Sequence, residues 1–456
     1  MRGSTGGAPD VIVVGGGVAG LAAATALAES GGRVLLLEAR PYLGGRAHSW
    51  LDPETGAVVD NGQHLMMGCY AETRRVLDRI GAADRVDWQE RLEVPFVDRG
   101  GRHSSFRLPA LAAPLDLLCG LLRFPGLSLG DRLSLLNVGL QVRRLARRDR
   151  EQVMESLDGR SVAAWLASLG QSANANERLW HPLSIAALNE SPERASAAMF
   201  LSVLRDGLFA GGNGARLGLA KVGLSELFAG PAARYLRGRR CEVRTRAPVR
   251  RILVDGTRCT GVLMADGERR QAGAVVGSVT PDALPDLLPD GASAEPFFAG
   301  AAGLETSPIV SVYLWFGAPV CEIPFAGLIG GTWQWMFNRH ALTAPGGGGH
   351  AITLVCSAAR DLVDQSRESL IRSAIEDLHL FFPETRRAPL RHSLVIKERR
   401  ATIAHAPGTL SQRPASLTPI DRFHLAGDWI ATGLPATIEG AALSGHIVAR
   451  NLGASA

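Results

Sequence analysis

Residues 11–20 read Val-Ile-Val-Val-Gly-Gly-Gly-Val-Ala-Gly. The β-branched residues at 11–14 predict a short buried strand, and the alanine-rich stretch 18–30 predicts a helix. The glycines that follow the strand have the GxGxxG spacing: Gly15, Gly17 and Gly20. Such a loop lets the backbone approach a pyrophosphate at the positive end of the helix. The stretch therefore predicts a strand, a tight turn and a helix that together bind a dinucleotide.

A second strand, residues 33–37, follows the Gly31-Gly32 break and completes a βαβ unit. Glu38 stands at its end, about 20 residues beyond the glycine loop, where a carboxylate accepts hydrogen bonds from a ribose hydroxyl. A carboxylate here disfavours a 2′-phosphate. The context favours this interpretation over one in which the glycines only permit a tight turn and close helix packing.

Two further segments favour FAD over NAD. Near the N-terminus, Gly44-Gly45-Arg46 joins a glycine pair to a guanidinium suited to phosphate oxygens. Near the C-terminus, Gly427-Asp428 precedes a predicted helix start near Ile438. Asp428 would hold a ribityl hydroxyl, and helix amides near Ile438 would stabilise the negative charge of a reduced flavin. A cofactor as long as FAD needs this second anchor.

The length of 456 residues exceeds what one hydrophobic core usually serves, so two domains are expected. The predicted fold class is α/β, with an FAD-binding doubly wound (Rossmann-like) domain and an interleaved α+β substrate domain. The FAD-binding domain takes residues 9–90, 215–283 and 400–453. The substrate domain takes residues 91–214, which are mainly helical, and residues 284–399.

Local patterns inside these segments predict individual elements. The predicted elements are helices at 131–150, 161–170 and 366–381, strands between 241 and 279 with turns at Asp255-Gly256 and Asp266-Gly267, a strand at 309–316, a loop at 346–349, a strand from Phe423, and a last helix that starts at Pro435 and is capped by Gly453.

Charge and cysteine content exclude several classes of protein. Lysine plus arginine number 49 against 44 acidic residues, a net charge of +5, without the clustered basic stripe that predicts nucleic-acid binding. The six cysteines form no CxxC pair, so neither a metal site nor a disulfide framework is expected. Residues 1–10 lack the apolar core of a signal peptide, and a reducing cytoplasm is the expected location.

Together the motifs resemble the superfamily of flavin amine oxidases and phytoene-type desaturases over nearly the whole chain. A narrower resemblance, to the hydroxysqualene dehydroxylases or squalene-associated FAD-dependent desaturases, is carried by four dispersed segments: Val59-Asp60-Asn61-Gly62-Gln63-His64, Gln334-Trp335-Met336-Phe337, Glu398-Arg399-Arg400-Ala401-Thr402, and the tail from Ala426-Gly427-Asp428-Trp429 to Gly445. The resemblance implies FAD as cofactor and reductive removal of the hydroxyl of hydroxysqualene to give squalene, which feeds bacterial hopanoid synthesis. A separate electron donor is expected.

The resemblance also implies roles for residues. In the superfamily the segment that corresponds to Asp60–His64 passes near the flavin, and the segment at Val249 contacts the adenine by its main chain. The predicted cofactor-binding residues are Gly15, Gly17, Val18, Ala19, Gly20, Glu38, Ala39, Arg40, Gly45, Arg46, Gln63, His64, Val249, Gly427, Asp428 and Ile438.

The chain departs from the amine oxidases at one informative position. Their flavin-facing lysine would fall near Ile309-Val310, where this sequence is apolar, and no lysine lies between Lys221 and Lys397. A hydrocarbon substrate has little use for such a lysine, so its absence favours an apolar isoprenoid over an amine.

Loss of an allylic hydroxyl requires a proton for the leaving oxygen, support for an allyl cation and a hydride donor. Our hypothesis gives the proton to His64 or Asp60, against the alternative that Asp60 ties down a turn and His64 is a satisfied core or flavin-contact residue. Trp333, Trp335 and Phe337 alternate as if on one side of a strand. They would bind substrate and offer ring faces to the cation, or form part of the core.

The longest apolar tract, residues 108–127, is interrupted by prolines and charges, which argues against a spanning helix. The leucine and arginine tract from Leu108 to Arg148 suits peripheral contact with the inner face of the cytoplasmic membrane, where an apolar substrate enters without crossing water. Core helices produce similar patterning, so both interpretations stay open.

Two other functions stay open beside the dehydroxylase. A carotenoid-type desaturase, acting on phytoene or squalene, shares the fold, the flavin and a hydrocarbon tunnel but reverses the electron flow. A non-catalytic flavin-bearing lipid carrier belongs to a different class, and intact predicted anchors at both ends of FAD argue against it.

Overall fold

A computed structural model describes residues 8–112, 114–209, 212–342 and 350–454. The loop predicted at 346–349 lies outside these residues. The strands are β1 (Val11–Val14), β2 (Val34–Leu37), β3 (Ser49–Leu51), β4 (Val58–Asp60), β5 (Leu65–Met67), β6 (Val86–Trp88), β7 (Glu93–Asp98), β8 (Arg102–Arg107), β9 (Leu217–Ala220), β10 (Glu242–Arg244), β11 (Val249–Asp255), β12 (Arg258–Met264), β13 (Arg269–Gln271), β14 (Ala274–Gly277), β15 (Thr306–Phe316), β16 (Phe325–Ile329), β17 (Trp335–Asn338), β18 (His350–Ser357), β19 (Leu390–Ile403) and β20 (Phe423–Leu425).

The α-helices are distributed between and after these strands. They are α1 (Val18–Glu29), α2 (Ala71–Arg79), α3 (Leu115–Arg123), α4 (Leu129–Leu145), α5 (Arg150–Asp158), α6 (Val162–Ser168), α7 (Ala173–Ala175), α8 (His181–Leu188), α9 (Ala197–Val203), α10 (Gly230–Arg237), α11 (Leu284–Leu287), α12 (Pro296–Ala302), α13 (Arg339–Leu342), α14 (Arg367–Phe381) and α15 (Ile438–Asn451). Within the described residues, no helix combines the length and the hydropathy needed to cross a membrane.

A five-stranded parallel sheet, in the order β10-β2-β1-β14-β20, forms the first layer of the fold. All four residues of β1 are buried, as expected for a parallel strand that is covered on both faces. Val11 and Val13 pack into one core with α1, α10 and α15, while Ile12 and Val14 pack into the opposite core with α11 and α12. The predicted α/β fold is confirmed.

A seven-stranded mixed sheet, in the order β19-β15-β18-β17-β16-β7-β8, forms the second layer. One face, which includes Phe96 and Phe337, packs against the helical region α3–α9. The other face, which includes Val310 and Val312, packs against α14. The sheet is therefore sandwiched between a helical insert and a single helix.

The strands of the five-stranded sheet come from the segments predicted for the FAD-binding domain, and those of the seven-stranded sheet come mainly from the segments predicted for the substrate domain. We therefore keep the two-domain division as our proposal. Its last boundary falls inside an element, because β19 runs unbroken through residues 399 and 400. This strand pairs with β15 along its length and ends beside the cofactor-binding half of the chain.

Two helix predictions are wrong at their ends. The predicted helix at 131–150 is two helices, because Asp149 accepts a hydrogen bond from the amide of Gln152 and starts a new helix after α4 has ended. The last helix begins at Ile438 rather than Pro435, since Thr437 caps it by accepting from the amide of Gly440. Gly453 has φ +84°, as its predicted capping role requires.

Close packing of α15 on α1 joins the two ends of the chain. A Cβ atom at Gly445 would lie 2.4 Å from the carbonyl oxygen of Ala19 and 2.7 Å from the amide nitrogen of Ala23. Only glycine therefore permits the helices to approach this closely. Because α1 begins at the glycine loop, this contact also fixes where α15 lies relative to that loop.

We expect Gly445→Ala to lower the free energy of unfolding by about 1–3 kcal/mol, because the new methyl group must push two helices apart. In an unconstrained helix the same change would stabilise by up to about 1 kcal/mol, so the sign is diagnostic. Chemical denaturation measures the effect, with Gly159→Ala as control, since a Cβ there meets no atom within 4 Å. Equal stability of Gly445→Ala and wild type would contradict the packing argument.

Candidate functional site

Each of the three motif glycines is required for a different structural reason. Gly15 has φ +108°, and a Cβ there would lie 2.2 Å from the carbonyl oxygen of Ser278. A Cβ at Gly20 would lie 2.1 Å from the carbonyl oxygen of Gly15. At Gly17 the added Cβ would meet no atom within 4 Å. Gly15 and Gly20 are therefore needed for the loop to adopt its conformation. Gly17 is not, but its lack of a side chain leaves the space in front of the loop open.

The N-terminus of α1 opens onto this face. Gly17 is the N-cap residue and offers no side chain to the free helix amides, and the first turn carries no acidic residue. The first amides of a helix have no intrahelical partner, and the helix dipole makes this end positive. The cradle has the shape and polarity that a pyrophosphate requires, and the amides around Val18 and Ala19 would be its donors.

Glu38 is held beside the same loop. Its Oε2 accepts from the amide of Gly16 at 2.7 Å, and its Oε1 accepts from the amide of Arg40 at 2.8 Å. A carboxylate has further lone pairs, so both contacts leave acceptors for ribose hydroxyls. The carbonyl of Glu38 accepts from the amide of Ala247, which brings the start of β11, with Val249, to the same end of the sheet.

Arg46 and Asp428, both predicted to touch the cofactor, also bind each other. Arg46 Nη2 lies 2.7 Å from Asp428 Oδ1, and Nη1 donates to the carbonyl of Ala401 at 2.6 Å. The neighbouring Gly44 donates its amide to the carbonyl of Gly16 at 2.8 Å, so the second glycine segment packs on the first. The arginine predicted for phosphate oxygens thus joins the two predicted FAD anchors.

Arg413 organises the approach to α15, and no sequence signal pointed to it. Its buried guanidinium donates to backbone carbonyls of Asp428, Trp429, Ile430 and Leu434. Burial lowers the pKa of Arg413 to about 10, so the side chain stays charged at neutral pH. These bonds hold the loop that carries Gly427 and Asp428 and leads to the helix start at Ile438.

His405 supports the same loop from the other side. Its Nε2 accepts from the amide of Ala436 at 2.8 Å. Burial, together with the nearby charge of Arg413, lowers the pKa of His405 to about 3, so the imidazole is neutral in this contact.

Asp60 is buried and fully engaged. Its Oδ1 accepts from Ser49 Oγ at 2.8 Å and from the amide of Leu224 at 2.9 Å, and its Oδ2 pairs with Arg339 Nη1 at 3.0 Å. These contacts occupy both carboxylate oxygens, and Asp60 forms a buried ion pair with Arg339.

Gln63 links Asp60 to two residues that sequence reasoning missed, Tyr313 and Arg339. Gln63 Oε1 accepts from Arg339 Nη1 at 2.9 Å, and Gln63 Nε2 donates to Tyr313 Oη at 3.0 Å. Tyr313 in turn donates to the carbonyl of Asp60 at 2.9 Å. Arg339 lies two residues after the Gln334–Phe337 segment. Nothing in the amino-acid sequence connects it to residue 60.

His64 follows this network and lies at the edge of the adjoining cleft. Its Nδ1 lies 3.1 Å from the carbonyl of Gly62, and a carbonyl only accepts, so Nδ1 carries a proton. In the neutral ring Nε2 is then an acceptor. Burial lowers the pKa of His64, and the nearby Asp60 carboxylate partly opposes this.

The cleft has an apolar wall and one polar edge. Asp60, Gln63, His64 and Arg339 form the polar edge. The apolar wall consists of Leu65, Leu219, Ala220, Leu224, Phe337 and Leu342. The lining therefore places hydrogen-bonding groups next to an apolar surface.

The three predicted aromatic residues do not share one face. Trp335 and Phe337 lie on the face of β17 that packs toward the helical insert, and Phe337 lines the cleft. Trp333 precedes the strand and packs in the opposite core, where its Nε1 donates to Ser373 of α14. The prediction of a common face is wrong for Trp333, because the alternation begins only at the strand.

The parallel sheet, the open glycine loop and Glu38 together define a dinucleotide-binding fold. The sequence model of the family described as "Flavin containing amine oxidoreductase" matches residues 18–453. The chain belongs to this family, and the prediction of FAD as cofactor is confirmed.

Individual relatives agree with this assignment. A hydroxysqualene dehydroxylase of Rhodopseudomonas palustris is 31% identical over 96% of both chains. A 15-cis-phytoene desaturase of Synechococcus elongatus is 24% identical over 96% of this chain and 95% of its own. The crystal structure of an oxidoreductase from Methanosarcina mazei superposes with a TM-score of 0.73 at 18% identity, covering 96% of this chain and 99% of that one, which supports the fold.

We expect Gly17→Ala to weaken FAD binding at least about tenfold while leaving the apoprotein as stable as wild type. The added methyl group contacts no protein atom but fills the cradle in front of α1. Fluorescence titration of apoprotein with FAD measures the affinity, thermal denaturation measures the stability, and Gly159→Ala is the matched control. If Gly17→Ala bound FAD as tightly as the control, the pyrophosphate would not lie at this loop.

Proposed function

We propose that the protein uses reduced FAD to remove the hydroxyl of hydroxysqualene and release squalene. The observation that carries this proposal is the cleft, whose wall is apolar and whose polar groups are confined to one edge. The relative from Rhodopseudomonas palustris, named as a hydroxysqualene dehydroxylase and aligned over nearly its whole length, supports the same reaction.

The reaction exchanges one bond for another. The carbon–oxygen bond of the allylic alcohol breaks, the oxygen accepts a proton and leaves as water, and the carbon receives a hydride. Bound FAD, when reduced, supplies the hydride. The protein must therefore bind the hydrocarbon, deliver a proton to the leaving oxygen and keep bulk water away from the allyl cation.

We assign the proton delivery to His64. Asp60 is already occupied as the counter-ion of Arg339, whereas His64 Nε2 has no fixed role in the network of Gln63 and Tyr313. The imidazolium form donates from Nε2 while Nδ1 stays on the carbonyl of Gly62. Because burial lowers the pKa of His64, this form is the minor one at neutral pH but a stronger acid than a free imidazolium.

Trp335 and Phe337 are the aromatic residues we place beside the substrate. Both belong to the side of β17 that packs toward the helical insert, and Phe337 forms part of the cleft wall next to the polar edge. An aromatic face near a desolvated cation is worth about 2 kcal/mol.

A second candidate is a carotenoid-type desaturase. The phytoene desaturase relative supports it, and so does the neutral state of His64, whose Nε2 would accept a proton from a substrate carbon. The two functions require opposite protonation states of His64, so pH distinguishes them. Relatives named as enzymes favour a catalytic role over a lipid carrier.

We further propose peripheral contact with the inner face of the cytoplasmic membrane through α3 and α4. One side of α4 packs into the core, but the other carries a row of leucines at helical spacing that are 40–72% exposed: Leu129, Leu133, Leu136 and Leu140. Leu115 and Leu122 of α3 are also exposed. Exposed arginines near the helix ends complement anionic lipid headgroups: Arg123, Arg143, Arg144, Arg147 and Arg148.

We expect FAD-loaded protein, reduced under anaerobic conditions, to convert hydroxysqualene to squalene in a single turnover. The rate should fall about tenfold per pH unit above pH 6.5, because only the imidazolium of His64 donates and its pKa lies below that of a free histidine. Stopped-flow absorbance and product analysis measure the rate, and His64→Gln with bound flavin should remove the pH dependence.

The reverse result has a defined meaning. If oxidised protein desaturates phytoene or squalene, with a rate that rises with pH through the same range, the desaturase is the correct function. A wild-type rate in His64→Gln at every pH would eliminate His64 as the proton donor in either direction.

We expect Leu133→Ser combined with Leu140→Ser to weaken binding to phosphatidylglycerol-containing vesicles at least about tenfold, since each leucine loses roughly 1.5–3 kcal/mol of apolar burial. Flotation measures binding, and raised salt should weaken the wild type as well. The control carries Leu51→Ser and Leu417→Ser, which are equally exposed but lie outside this surface. Wild-type protein that stays unbound would exclude membrane contact.

A further inference from the structure

Arg339 connects three parts of the polar edge. It opens α13, its side chain is buried, and its Nη1 donates both to Asp60 Oδ2 at 3.0 Å and to Gln63 Oε1 at 2.9 Å. Its Nη2 lies 3.4 Å from the carbonyl of Val58 in β4. One side chain thus contacts the strand that leads into the 60–64 segment and two residues of that segment.

The 60–64 segment is held from a second side by Tyr313 of β15. Tyr313 Oη donates to the carbonyl of Asp60 and accepts from Gln63 Nε2. The amide of Gln63 is therefore oriented, with its oxygen toward Arg339 and its nitrogen toward Tyr313. Since His64 is the next residue and its ring binds the carbonyl of Gly62, these contacts determine where the imidazole lies.

The ion pair of Arg339 with Asp60 also places two opposite charges at the cleft. Asp60, Arg339 and His64 line the cleft together. The charge of Asp60 raises the pKa of His64, and the charge of Arg46 lowers it. An unpaired buried charge is costly and exerts a strong field on its neighbours in a region of low polarisability. Because the guanidinium of Arg339 lies 3.0 Å from the carboxylate of Asp60, its opposite charge partly offsets the field of Asp60 at the imidazole.

We propose that Arg339 is a positioning residue for His64: bound to Asp60 and Gln63, it fixes the 60–64 segment and partly offsets the field of Asp60 at the imidazole. This inference rests on the proposed function for its relevance to catalysis. Its physical content concerns the protonation of one histidine, which is measured without turnover.

Removing the charge of Arg339 and removing the charge of Asp60 should shift the titration midpoint of His64 in opposite directions. In Arg339→Met the carboxylate of Asp60 is uncompensated and favours the imidazolium, so the titration midpoint of His64 should rise. In Asp60→Asn the negative charge that raises the pKa of His64 is lost, so the midpoint should fall. The double variant restores neutrality and should titrate near wild type. Midpoint shifts of about one pH unit are expected when a charged group that lines the same cleft as the imidazole is removed.

NMR titration of the histidine Cε1–H signals in FAD-loaded, oxidised protein measures these midpoints, and His64→Gln identifies the His64 signal. Arg107→Met is the control, because it removes an arginine from a solvent-exposed pair with Glu93 elsewhere. It should leave the midpoint unchanged. Shifts of the same sign in both single variants, or no shift in either, would overturn the proposal.

One further variant keeps the test decisive. If Arg339→Met does not fold, Arg339→Lys retains the charge without the planar fork, and we expect a midpoint near wild type with a broadened His64 signal from a loosened segment. Asp60→Asn supplies a second test, because an unchanged or raised midpoint would contradict an effect of the Asp60 charge on the imidazole. If the midpoints shift as expected while turnover is independent of pH, the proton-donor role of His64 fails and the Arg339 proposal stands.

Discussion

The ion pair between Arg46 and Asp428 is the contact on which the arrangement of the site depends. It joins side chains from opposite ends of the chain at 2.7 Å, and Arg46 also binds the carbonyl of Ala401 at the end of β19. The second glycine segment and the C-terminal segment therefore meet at one guanidinium, and Gly44 of the second glycine segment contacts the glycine loop through Gly16. Asp428 is almost fully buried, whereas the side chain of Arg46 is 34% exposed, so solvent reaches the pair from the Arg46 side only. The contact of Gly445 with α1 brings the same two ends together from the helix side.

Much of the cofactor-binding half was predictable because its signals are local. Strand β1, the glycine loop, α1 and β2 are contiguous, and each residue type there has a direct backbone reason. The tail was predictable for the same reason, although the start of α15 was placed early. A proline marks where a helix is permitted to begin, whereas the hydrogen bond of Thr437 decides where it does begin.

The polar edge was only half predictable, because its partners are distant in sequence. Asp60, Gln63 and His64 stand in one recognisable segment, but Tyr313 and Arg339 reach them from β15 and α13. The aromatic prediction failed at Trp333 since side-chain alternation holds only within a strand, and β17 starts two residues later. On α4 both faces are rich in leucine, so periodicity alone did not distinguish a core helix from a surface one. The structure gives it both roles, with one face in the core and the other exposed.

Three buried or half-buried arginines connect parts of the site that are distant in sequence. The chemistry of the guanidinium explains why arginine, and not lysine, stands at these positions. Arg413 serves four carbonyls at once, Arg339 serves a carboxylate and an amide, and Arg46 serves a carboxylate and a carbonyl. A lysine has three donors on one atom and loses its charge more readily when buried, so it cannot span such sets of acceptors. Because each guanidinium is occupied by the protein itself, none is left as an isolated buried cation. An uncompensated cation at the cleft would oppose a developing allyl cation, so the pairing of Arg339 with Asp60 gives the polar edge hydrogen-bonding capacity without net positive charge.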